Sequence, residues 1–239
     1  YRSGKLKDVL TGVSRRAYTG WRGVVPDVFD PAYAAHVAAA ASKGKSEWTE
    51  ADITTSPWLL GVSAEDADHL HGFKSADHVH PGWAVAVTAP RQSRNPFTNL
   101  PYADSVVYSK LAWRDFLVAK YATIGELNAA WGSGYTMFDS TGQWGSGSGL
   151  LDEDGRSPWL QTKNSTTLAD LPKHVQDDLN HFLEKMAAHL FGFWARALRA
   201  AHPHHLIFGP DALLALNRPE VLRAAGRHFD ALQLSADPT

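Results

Sequence analysis

The chain has no cysteine, which excludes a disulfide framework and any thiolate nucleophile or metal ligand. That absence does not fix the compartment, because many secreted enzymes also lack disulfides. The chain also lacks an excess of either charge. Lys+Arg 23 against Asp+Glu 25 gives a formal net charge of −2, with no basic stripe for nucleic acid and no polybasic segment for a membrane surface. No apolar run approaches the roughly 20 residues that cross a bilayer. What is present is enough for a core: 239 residues with 44% hydrophobic content fit one large globular domain over residues 1–239. YRSGKLKDVL has no starting Met and SADPT follows directly on a strand-like segment, as expected of a piece of a longer chain truncated at both ends.

Local signals alternate between strand and helix. In FDPAYAAHVAAAAS, Asp30 is an N-cap and Pro31 suits the first helical position, which predicts an Ala-rich helix to about Ser42. Trp58 to Ser63 is a short apolar run between Pro57 and a set of acids, and reads as a buried parallel strand. Residues from about 68 to 105 are rich in Pro, Gly, Asn and His and read as a long loop, apart from GWAVAVTAP, which alternates like a strand. VYSKLAWRDFLVAKY predicts a helix capped by Ser109. Thr123-Ile-Gly-Glu126 is a capping box that starts a short helix through Trp131.

A second long loop spans about 132–170 and ends at Asp170, a cap for a long amphipathic helix. Its stripe runs through Leu179, Phe182, Leu183, Met186, Leu190, Phe193, Trp194 and Leu198. His205 to Asp211 reads as a strand, Asn217 to Gly226 as a helix and Phe229 to Ser235 as a further strand. That alternation implies parallel strands joined by helices. LLGVSAED, LIFGPD and LQLSAD each end in a small residue and then an acid, and ligands of parallel α/β folds bind at those C-terminal strand ends.

DVFDPAYAAHV, SPWLLGVSAED and FLVAKYATIGELNAAWGSGYTMF together resemble polysaccharide-acting glycoside hydrolases with (β/α)₈ barrels, of the family 42 β-galactosidase and agarase-like types. The resemblance covers about residues 24–138, and its most specific part is the helix pair around KYATIGELNAAWG. It implies an α/β fold, a partial (β/α)₈ TIM barrel with long βα loops. It also implies a retaining mechanism, with a general acid/base just past strand 4 and a nucleophile on strand 7, beyond Thr239. The family closes strand 4 with Asn-Glu. This chain reads Ala64-Glu65-Asp66-Ala67-Asp68 there, so Glu65 matches by type and Asp66 by position.

Glycoside hydrolysis needs one protonated and one ionised carboxyl group across the sugar bond, and crowded acids help keep one of them protonated. Glu65 and Asp66 are the catalytic candidates. Asp68 would orient a neighbour or bond a sugar hydroxyl, and Asp211 and Asp237 would contact hydroxyls or supply the second carboxylate. Glu153 and Asp154 read as solvated. His69, His71 and His80 would bond sugar hydroxyls, whereas His202, His204 and His205, after a helix end, read as structural. Trp83, Trp144 and Trp159 lie in polar loops and would stack on sugar rings, whereas Trp113, Trp131 and Trp194 fall on helices and read as core.

This chemistry requires no cofactor and assigns no metal. One alternative is a metal-dependent hydrolase on the same barrel, built from alternate histidines such as His69 and His71 with Asp66 or Asp68. The other is a catalytically silent carbohydrate-binding barrel. A polysaccharide substrate favours a secreted or periplasmic location. The sequence leaves oligomeric state open.

Overall fold

Asp30 opens the first helix as its carboxylate accepts the Ala32 N–H at 2.8 Å, with Pro31 in the first turn where no amide is needed. The computed structural model describes residues 27–63, 73–75, 78–80, 92–94, 101–106, 108–142, 148–152, 172–210 and 218–232. In chain order these form α1 (Pro31–Glu50), β1 (Gly61–Ser63), β2 (Phe73–Ser75), β3 (His78–His80), β4 (Gln92–Arg94), β5 (Pro101–Val106), α2 (Tyr108–Tyr121), α3 (Ile124–Trp131), α4 (Lys173–Ala201), β6 (Leu206–Phe208) and α5 (Pro219–Ala225). The chain divides into two compact units: residues 1–27 with 72–182, and residues 28–71 with 183–239.

In the first unit, β2 pairs antiparallel with β3, and β4 with β5. The stretch expected to be irregular therefore carries two antiparallel ladders. GWAVAVTAP lies outside the described residues. Helix α2 starts at Tyr108, and Ser109 is not its cap. Its amide and hydroxyl instead donate to the buried Asp27, the hydroxyl at 2.5 Å, so an acceptor distant in sequence satisfies this helix start.

Thr123 does cap α3, accepting the Glu126 N–H at 3.3 Å, and Gly132 ends it at φ +65°, in the left-handed region where glycine is unstrained. Trp113 is fully buried, with ring centroids 4.9 Å from Phe182 and 5.9 Å from Trp131. Leu117, Leu127, Leu150, Val175 and Leu179 complete this core.

In the second unit, α1 runs to Glu50, past the expected end near Ser42. No proline interrupts the segment, Lys43 pairs with Glu47 one turn on, and the Trp48 ring packs 5.4 Å from His202. The expected buried strand from Trp58 shrinks to Gly61–Ser63. Turns ahead of it take up the backbone amides, with Ser56 N–H donating to Ile53 O and Leu59 N–H to Ser56 O, and they leave Trp58 88% and Leu60 73% exposed. The apolar stripe of α4 packs as its period of three and four dictates: Leu183, Met186, Leu190, Phe193 and Trp194 are buried, with Phe191 5.2 Å from Phe229. Trp113, Trp131 and Trp194 are thus core residues, as their helical positions indicate.

Candidate functional site

Strands β1 and β6 pair in parallel, with Gly61 opposite Leu206 and Ser63 opposite Phe208. Phe208 is also bridged in parallel to Ala231. The expected strand over His205–Asp211 is confined to Leu206–Phe208, and that over Phe229–Ser235 is represented, among the described residues, by the single bridge at Ala231. Three chain segments therefore run the same way in the order β1, β6, Ala231, and they leave the ladder at one edge.

Two devices hold this ladder together. At Gly61 a Cβ would strike the Leu206 carbonyl and the Phe208 ring, so only glycine lets β1 approach β6 so closely. Asp230 accepts the Ile207 N–H at 2.8 Å, returns its own amide to Ile207 O at 2.9 Å and pairs with Arg199 at 2.8 Å. The Ile207 N–H, followed by Arg199, holds the Asp230 carboxyl below the usual carboxylate range.

The acids singled out from sequence come after this edge. Glu65 and Asp66 follow Ser63, Asp211 follows Pro210, and Asp237 follows Leu232 by a few positions. Glu65, Asp66, Asp68, His69, His71, Trp83, Trp144, Trp159, Asp211 and Asp237 all lie outside the described residues, so the structure neither brings them together nor separates them. His80 belongs to β3, opposite Phe73 in the first unit. Among the described residues no group of three or more His, Asp or Glu side chains is placed to hold a metal ion, and no helix is long and apolar enough to cross a membrane.

Besides Asp27, the described residues contain two further buried carboxylate centres that sequence reasoning missed, both in the first unit. Asp178, fully buried on α4, accepts from the Tyr121 hydroxyl at 2.6 Å, from the Trp131 indole N–H at 2.8 Å and from Lys120 Nζ. Burial pushes the Lys120 ammonium down, but the hydrogen bond and charge of Asp178 outweigh it and the net shift is upward; burial and then Asp178 raise the Tyr121 hydroxyl as well. An acid inside the apolar stripe, three residues after Val175 and four before Phe182, was the available signal.

The other centre is Asp152, at the end of a 3₁₀ turn over Leu150–Asp152. It accepts from the Ser140 hydroxyl, from the Thr141 amide and hydroxyl at 2.8 and 2.6 Å, and from the Gly149 amide at 3.1 Å. It ties Ser140 and Thr141 to Gly149. Burial pushes its carboxyl up, but the hydroxyls of Ser140 and Thr141 and the two amides pull harder, and the result is a lowered value.

A depressed folded value gives stability that is present above the unfolded carboxylate value of about 3.9 and lost as pH falls through the folded one. Asp152→Asn should therefore lower stability by about 1–3 kcal/mol at pH 7, the usual cost of spoiling buried hydrogen bonds. Urea midpoints of variant and wild type should converge as pH is taken toward 2. A gap of constant size across that range would refute the assignment.

No protein-family profile matches the chain. Over 228 residues it is 24% identical to beta-agarase B of Vibrio sp. (strain JT0107), covering 93% of this chain and 20% of that protein. Its fold is similar to stretches of three solved structures: an agarase, AgWH50C (TM-score 0.59, 24% identity, 87% of this chain and 24% of that one), an exo-beta-agarase (0.60, 21%, 90% and 24%), and PfGH50B (0.59, 20%, 90% and 26%). The chain thus spans about a fifth to a quarter of the proteins it matches. Of the two kinds of glycoside hydrolase that the sequence motifs resemble, the relatives whose names state an activity are agarases.

Proposed function

We propose that this chain is part of a glycoside hydrolase acting on a β-linked galactan of the agarose kind. The likeness to agarase chains over 87–90% of its length supports this reading most directly. The parallel ladder adds to it, since its three segments end at one edge and Glu65, Asp211 and Asp237 come a few residues later in the sequence. In the proposed site Glu65 or Asp66 is the general acid/base, the remaining acids and His69 and His71 bond sugar hydroxyls, and loop tryptophans supply stacking faces. The ladder would belong to a (β/α)₈ barrel whose nucleophile strand follows Thr239, and the mechanism would be retaining.

The test is release of new reducing ends from agarose by the full-length protein, with and without chelator. Turnover that persists in chelator supports the carboxylate mechanism, and loss in chelator supports the metal-dependent one. Retention on agarose without turnover supports a silent carbohydrate-binding barrel, a reading favoured by Ala64-Glu65-Asp66-Ala67-Asp68 standing where the family pattern has Asn-Glu.

A further inference from the structure

The turn that carries α4 into β6 reads His202-Pro203-His204-His205, and its histidines have no part in the proposed chemistry. His202 closes α4: its amide donates to Leu198 O at 2.7 Å, and its carbonyl accepts the His205 N–H at 3.3 Å. Its ring is buried, 5% exposed, between Trp48 of α1 at 5.4 Å and the His205 ring, which meets it edge-on at 5.8 Å and 77°. His205 Nδ1 is buried with no hydrogen-bond partner. His204 is exposed, and the charged groups acting on His202 are His205 from the turn and Lys45 from α1. Neither is an acid. The next residue, Leu206, opens β6 and donates its amide to Leu60 O at 3.2 Å, at the start of the parallel ladder.

We infer that the buried His202 ring, packed between Trp48 and His205, is an acid-sensitive latch, which holds the turn into β6 against Trp48 while its imidazole is neutral and releases it when that imidazole is protonated. A charge on His202 would be buried against the Trp48 and His205 rings and opposed by Lys45, with no carboxylate among the described residues acting on it. The same surroundings argue against a metal ion between the two rings: Lys45 repels it, and no third ligand stands by among the described residues.

Burial, then His205 and Lys45, hold the His202 imidazole below its ordinary value. A histidine with a lowered folded value favours the closed state above the open-state value of about 6.5 and loses that preference as pH falls through it. Acidification therefore shifts the equilibrium toward the open turn.

The experiment follows the Leu206 amide by hydrogen exchange in the full chain from pH 8 to pH 5, each rate divided by its intrinsic value. The latch predicts a loss of protection on acidification, abolished in His202→Gln/His205→Gln. Equal loss in both proteins, or none in the wild type, overturns it. Should the double variant not fold, the ring C–H titration of wild-type His202 decides: a midpoint below about 6.5 supports the latch, and one at or above it overturns it.

Discussion

Asp178→Ala should lower the unfolding free energy by about 3–5 kcal/mol, the usual cost of removing one partner of a buried charge pair. The geometry shows where the loss arises. Trp131, 6% exposed, loses the carboxylate that accepts its indole N–H, and the half-buried Tyr121 hydroxyl loses its acceptor as well. Each orphaned buried donor costs about 1–3 kcal/mol. Lys120, whose side chain is 39% exposed, can turn to water and adds little. Asp178→Asn keeps one acceptor but sets an amide N–H₂ against the remaining donors, so it should recover part of the loss and not all of it. Equilibrium urea unfolding of the three proteins checks the order wild type, Asn, Ala; an Ala variant within about 0.5 kcal/mol of wild type, the range of ordinary surface substitutions, would sink the assignment.

This centre also explains the part of the sequence that carries the resemblance. Lys120, Tyr121 and Trp131 of KYATIGELNAAWG converge on Asp178, Asn128 donates to Tyr135 O at 2.7 Å, and Thr123 and Gly132 are the two caps of α3. These contacts of the motif hold α2 and α3 against the start of α4.

Caps and helical stripes were legible because each depends on residues within a turn or two, as at Asp30, Thr123 and Leu179 to Trp194. Lengths were not. α1 continues past Ser42 through a polar stretch because Trp48 finds His202, far along the chain, and Ser109 gives up capping because Asp27 receives it. The short apolar run from Trp58 predicts a buried strand, yet the turns before β1 leave Trp58 exposed, since hydrophobicity alone does not say how many neighbours a strand has. The direction of the strands was legible from their alternation with helices, and the parallel pairing of β1 with β6 agrees with it.

If Glu65 or Asp66 is the proton donor, Glu65→Gln and Asp66→Asn should part sharply on polysaccharide. One should lose about 10²–10⁴ in turnover, the range general acid catalysis supplies, and the other much less. The reasoning concerns the leaving group. A sugar alkoxide departs only if its oxygen is protonated as the bond breaks, whereas an activated phenol departs as its own anion and does not need the donor. The defect in the sensitive variant should therefore shrink greatly on an aryl β-glycoside with an electron-poor phenol. A residue needed for folding or binding would depress both substrates together, and a residue without a role would depress neither. Full activity of both variants on agarose places the acid elsewhere, with Asp68 next in the strand-end cluster. Two equal losses on both substrates would make the cluster a binding or structural feature, and the silent-barrel reading would then take its place.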